Sequence, residues 1–199
     1  MALLLIATSG DAIAAAPPPT LGFEEGMSAE EIGQTIAAIE AHPDQADPFQ
    51  WAIVAAREFE RGNRLRATFW FYMFQIRSRP WARADGAGSG AAALRASLNA
   101  TLGPTVNAWI AADPAIWQDV ATRAIAFEAR LPLHPDRPEG MDEAAWRRLV
   151  AEQRAAYAAE ARSAFADLEP AEVARARREN GLPSGSLTDQ GRPLDESWR

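Results

Sequence analysis

Two histidines, a glycine-rich pentapeptide and an arginine cluster around a tryptophan are the residues of this chain whose types and spacing could do chemistry. The pentapeptide Gly86-Ala87-Gly88-Ser89-Gly90 stands ahead of a helical stretch, where backbone amides can hold a phosphate or a sharp turn can present a serine nucleophile. It carries no lysine, follows no strand pattern and lacks the GxSxG spacing, so it reads as a flexible connector. His42 and His134 each precede a proline in a loop, without the His-x-x-x-His spacing of a helical metal site. Both read as surface or capping residues. The run Arg77-Ser78-Arg79-Pro80-Trp81-Ala82-Arg83 sets three guanidinium groups around one indole at the end of a helix, where cations favour the negative end of the dipole. Arg and Trp are the types most enriched among interface hot spots. Arg77, Arg79, Trp81 and Arg83 are therefore the expected partner-binding residues. The competing reading pairs these arginines with Glu24, Glu25, Glu30 or Glu31 inside the fold.

Composition excludes whole classes of mechanism. All 20 basic residues are arginine. A Walker-type phosphate loop, a pyridoxal-phosphate Schiff base and a kinase phosphate lysine all need the missing Lys. With 0 cysteines, thiol nucleophiles, disulfides and thiolate zinc sites are excluded as well. No catalytic or metal-ligating set is predicted, and no cofactor. The net charge of −7 argues against a nucleic-acid partner, because phosphate neutralisation supplies most non-specific affinity. That charge is uneven: Pro17 to Asp47 is acidic without an arginine, and Arg57 to Arg83 is strongly basic.

The elements that must carry the arginine cluster are legible. Trp51, Val54, Ala55 and Phe59 fall at helical spacing. Leu65, Phe69, Tyr72 and Ile76, with Ala67, Trp70, Phe71 and Phe74, mark two adjoining apolar faces of a second helix. A helix apolar on most sides is buried on most sides. Gly62 and Asn63 tolerate the left-handed backbone needed between the two, and Pro80 is expected to stop the second. Residues 51–80 thus form an αα-hairpin.

This hairpin resembles one tetratricopeptide (TPR) or Sel1-like repeat. Trp51, Val54 and Ala55 match the family's Trp, Leu and small positions on the first helix, and Ala67 and Phe71 match small and aromatic positions on the second. No second copy follows at the family's period of about 34 residues. The resemblance implies a single helical-hairpin binding scaffold. The string FWFYMFQIRSR also looks like segments of uncharacterised bacterial secreted proteins, which implies no activity.

Ala-, Arg- and Glu-rich text with few β-branched runs predicts an all-α fold of about seven helices, either TPR-like or an irregular antiparallel bundle. Ser28 and Glu31 form a capping box for a helix over Ala29 to Ala41. Asp47-Pro48 and Asp113-Pro114 each start another. Ala91 to Leu102 and Thr105 to Ala111 are expected as two helices broken by Gly103-Pro104. Pro132 to Gly140 reads as a loop, Asp142 to Leu168 as a long helix, and Glu169-Pro170 as the start of a short one ended by Gly181. Trp51, Trp70, Trp109, Trp117 and Trp146 sit in apolar stripes and read as core. Trp81 and Trp198 read as surface.

Residues 1–16 combine an apolar run with the small residues Ala14 to Ala16 before Pro17, the pattern of a cleaved signal peptide. The run is far short of the about 20 apolar residues of a membrane span, so no stable membrane insertion is expected after its removal. Residues 17–27 are a proline-rich lead-in, 28–181 a single helical domain and 182–199 a polar, disordered tail. The expected function is non-catalytic binding of another protein in the bacterial envelope, as an adaptor or as an immunity-type inhibitor, with a cytoplasmic location as the alternative. The competing class is an envelope hydrolase acting on cell-wall glycan, where two carboxylates would flank the scissile bond. Glu196-Ser197 is similar to the catalytic dipeptide of helical lytic transglycosylases, but too little chain follows to build a cleft around it.

Overall fold

The apolar text between Leu65 and Ile76 has no polar face to turn to solvent, and this decides the architecture. In the computed structural model, which describes residues 22–85 and 90–198, that text is the middle of a helix enclosed by four others. The seven helices are α1 (Ala29–Ala41), α2 (Gln50–Glu60), α3 (Arg64–Asp85), α4 (Gly90–Ile110), α5 (Pro114–Arg130), α6 (Glu143–Ala166) and α7 (Pro170–Glu179). The described residues contain no strand, so the protein is all-α as expected. Helix α3 packs against α2, α4, α5 and α6, and Phe69, Trp70, Phe71, Met73 and Phe74 are fully buried. None of the described helices is long and apolar enough to cross a membrane.

Local chemistry sets most of the helix starts. Ser28 and Glu31 close the capping box, with Ser28 N donating to the Glu31 carboxylate at 2.7 Å and Glu31 N to Ser28 Oγ at 3.3 Å. Asp113 accepts from the amides of Ala115 and Ile116, and Asp142 from that of Ala145. Asp47 accepts from Phe49 N at 2.7 Å, and α2 begins at Gln50. Gly62, at φ +81°, makes the turn into α3.

Two expected breaks do not occur. Pro80 lies inside α3, which continues to Asp85. Its missing N–H and its ring cost about 3 kcal/mol in a helix interior, yet the next turn gains the packing of Trp81 on Trp146 at 5.2 Å. Side chains serve nearby carbonyls: Ser78 Oγ donates to Phe74 O at 2.6 Å and Arg95 to Gln75 O at 3.3 Å. Gly103-Pro104 likewise lies within a continuous α4. Gly103 is buried, and a Cβ there would stand in ordinary contact, 3.5 Å, with the ring of Phe71, so this residue faces α3 and does not break α4.

The disordered tail is a third correction. Residues 182–198 run back over the α2–α3 hairpin: Gln190 O accepts from Leu65 N at 3.1 Å, Asn63 Oδ1 accepts from Arg192 N at 3.1 Å, and Thr188 O accepts from the Trp109 indole at 3.1 Å. Leu187, Leu194 and Trp198 are buried. Trp198, expected at the surface, lies on Phe69 at 4.8 Å with the rings nearly parallel and meets Trp70 edge-on at 5.2 Å. Among the expected core tryptophans, Trp51, Trp70 and Trp146 are buried, and Trp109 and Trp117 are partly so. The expected signal peptide, residues 1–16, and the expected connector residues 86–89 lie outside the described residues.

Candidate functional site

Residues four apart share a helix face and residues two apart do not, so the arginine cluster divides. Arg77 and Trp81 lie on one face of α3, Arg79 and Arg83 on another. Arg77 is 6% exposed and donates to the Glu128 carboxylate at 3.3 Å and to the carbonyl of Pro132. Glu128, on α5, is held a second time by Arg154 of α6, at 2.8 and 2.7 Å. Two guanidinium groups thus share one carboxylate inside the protein, and burial pulls the pKa of Arg77 below its ordinary value, partly offset by Glu128. Arg79 is held by α6 through a bidentate pair with Glu160, at 2.7 and 2.6 Å, and a bond to Gln153. Arg83 is exposed. The expected grouping of all four around Trp81 is therefore not formed. None of Arg77, Arg79 and Arg83 forms an ion pair with Glu24, Glu25, Glu30 or Glu31 among the described residues.

What the fold builds instead is a cleft on the Arg77 and Trp81 face, closed by residues 131–142 and the first turns of α6. A recess of about 10 Å³, room for one water, lies among Arg77, Trp81, Glu128, Trp146 and Arg154. A wider cleft of about 440 Å³ shares Leu133, His134 and Trp146 with it and adds Arg137, Glu143 and Arg147. Trp81 lines the recess alone, edge-on to Trp146 and 6.4 Å from the ring of His134, which border both spaces. His134 Nδ1 accepts the amide of Asp136 at 3.2 Å, so the neutral ring carries its proton on Nε2. Arg147 is paired with Glu143 at 2.6 Å, which holds that carboxyl below the usual range. The Trp146 indole N–H is buried with no acceptor.

A second hollow, about 250 Å³, opens between α3, α5 and α6. Trp117 Nε1 donates to Tyr72 OH at 2.5 Å, which donates to Asn107 at 3.3 Å, and Tyr157 OH donates to Gln75 at 3.3 Å. Burial pushes both tyrosine hydroxyls well above their ordinary pKa. These polar groups are satisfied in pairs. Alternation of Tyr72, Tyr157 and Trp117 among apolar stripe positions carried no signal of this hollow, because core aromatics have the same spacing.

No group of three or more His, Asp or Glu side chains among the described residues could hold a metal ion. Comparison with protein-family models, with curated proteins and with solved structures returns no match.

Proposed function

We propose that this protein is a non-catalytic helical binding module that takes up a segment of another protein in the cleft between the end of α3, residues 131–142 and the first turns of α6. The observation that supports this reading is the state of the cleft's proton-transfer groups. Glu128 is engaged by two arginines, Glu143 by Arg147, and His134 Nδ1 by a backbone amide. General acid–base catalysis needs a carboxylate or imidazole free to exchange a proton with substrate, and a glycan hydrolase needs two carboxylates across the scissile bond. Glu128 is spent on the fold, Glu143 is tied to Arg147 at the surface and His134 keeps only Nε2 open, so no pair of free carboxylates faces the cleft, while its aromatic and arginine side chains suit recognition. The TPR-like pattern of the hairpin and the export pattern of residues 1–16 support an adaptor or inhibitor of the bacterial envelope.

A photoreactive amino acid placed at Arg147, whose side chain is 65% exposed, should crosslink a specific protein in envelope extract of the native host. That protein, once purified, should bind the wild type and lose most of its affinity for the Trp81→Ala variant. Equal binding by a folded Trp81→Ala protein would reject the site.

A further inference from the structure

The hollow between α3, α5 and α6 offers a one-sided set of hydrogen-bonding groups. Tyr72 OH donates to Asn107 Oδ1 and Tyr157 OH to Gln75 Oε1, each at 3.3 Å, so each phenol takes an amide by its oxygen. Both amides line the hollow. Among the described residues nothing accepts from Gln75 Nε2 or Asn107 Nδ2, and neither nitrogen is sealed from solvent. The acceptors are more fully engaged: Tyr72 OH accepts from the Trp117 indole, and both oxygens of Glu160 accept from Arg79. Burial raises the pKa of both phenols, which keeps them neutral donors and fixes this polarity. Charge narrows the ligand further. Arg79 neutralises Glu160 and lies 6.0 Å over the Tyr157 ring, so no uncompensated carboxylate draws a cation. The described lining contains no arginine to hold an anion. The rest of the wall is apolar, with Trp117 edge-on to Phe165 at 5.5 Å beside Ala121, Ala161 and Ala164.

The complementary ligand is neutral and aliphatic, with hydrogen-bond acceptors and few donors. Proline-rich chain has this chemistry: proline carries no N–H, and a polyproline II segment makes no internal hydrogen bonds, so its carbonyls are free while its rings form the apolar surface. We infer that the hollow is a docking site for a proline-rich segment of another protein in the polyproline II conformation. Its rings rest against Trp117 and Phe165, and the carbonyls beside them accept from Gln75 Nε2 and Asn107 Nδ2. Aromatic-lined grooves recognise such segments because the conformation is preformed and little entropy is lost on docking. At about 250 Å³ the hollow is smaller than the about 300–1,000 Å³ of pockets for drug-sized ligands, so it takes a ring or two of a longer chain. A sugar is less well matched, because each hydroxyl must also donate and the side-chain acceptors here are engaged apart from the Tyr157 oxygen.

The test uses the full-length protein and two probes of equal length, an acetylated proline hexamer amide and acetylated Gly-Ser-Gly-Ser-Gly-Ser amide. The side-chain NH₂ resonances of Gln75 and Asn107, followed by ¹H–¹⁵N NMR, are assigned by their loss in Gln75→Glu and Asn107→Asp. Both should shift saturably with the proline peptide and not with the Gly-Ser peptide. Each variant keeps an oxygen for its tyrosine and replaces the open donor by a second oxygen. Each should therefore weaken the proline peptide at least about tenfold, read at the amide that remains. Asn107→Asp, on a different helix, serves alone where Gln75→Glu does not fold. Absence of a saturable shift with the proline peptide, an equal response to the Gly-Ser peptide, or undiminished affinity in a folded variant overturns the inference. Saturable shifts with an N-acetylglucosamine trimer and none with the proline peptide overturn it in favour of a sugar site. The hollow shares no lining residue with the cleft at the end of α3, so failure here leaves the crosslinking result at Arg147 to decide the binding-module reading by itself.

Discussion

Trp198 anchors the strap formed by residues 182–198, and the structure predicts that the whole domain feels its replacement by alanine. The indole is 4% exposed, stacked on Phe69 at 4.8 Å, edge-on to Trp70 at 5.2 Å and covered by the Arg66 guanidinium at 5.0 Å. Truncating a fully buried tryptophan costs about 3–5 kcal/mol, and each aromatic pair contributes about 0.5–1.5 kcal/mol beyond burial. The strap follows α7 as one largely irregular segment, however, and can release as a unit. The loss therefore cannot exceed what docking of residues 182–198 contributes, which favours the lower figure. A change of about 3 kcal/mol in a domain of this size lowers Tm by roughly 6–12 °C. Urea and thermal unfolding of Trp198→Ala measure the magnitude, and hydrogen exchange at Leu65, whose amide donates to Gln190 O, locates it. A variant within about 0.5 kcal/mol of the parent, with Leu65 exchange unchanged, would refute the docked strap and restore a disordered tail.

Gly191 sits at φ +72°, and a Cβ there would stand 2.3 Å from Gly62 O and 2.5 Å from Asn63 Cα. Gly191→Ala should cost about 1–3 kcal/mol and expose residues 182–198 to protease, whereas Gly26→Ala, at φ +85° in open space, should leave the strap protected; equal digestion patterns would count against the close approach. Glu128→Ala leaves Arg77 and Arg154 facing each other without their shared carboxylate and should cost about 3–5 kcal/mol in denaturant unfolding. A loss below about 1 kcal/mol would mean that the cluster is solvated. Glu40, packed by Trp70 and Arg66, has its pKa raised by burial, only partly offset by those two partners. Its folded form keeps the proton to higher pH than the unfolded chain does, so its contribution is fully present below the unfolded value of about 4.3 and is lost as pH rises through the folded value. The stability of the wild type relative to Glu40→Gln should accordingly fall as pH rises from the unfolded value through the folded one, and a constant difference would contradict the burial assigned to Glu40.

Much of the local architecture was determined by the chain itself. Ser28 with Glu31, Asp113 with Pro114, and Asp142 satisfy free amides within a few residues of themselves, so helix starts need no distant partner. The stripe from Trp146 to Phe165 and the unbroken apolar text of α3 carried helix and core by periodicity alone. Gly62 turned where a positive φ was needed.

Tertiary structure decided what these elements do. Pro80 and Pro104 read as stops because their local cost is visible in sequence, while the packing of Trp81 on Trp146, gained by continuing α3 past Pro80, involves residues 65 positions apart. The strap has no period: Leu187, Leu194 and Trp198 are each buried by elements far away in the chain, so composition alone marked it as disordered. The arginine cluster shows the same division. Its residues were singled out by type, but helix geometry sends Arg77 towards Glu128 and Arg79 towards Glu160, 51 and 81 residues away. Spacing along one strand of text cannot show which carboxylates will face it. The orphaned indole of Trp146 exists only once α3, α6 and residues 131–142 have closed around it.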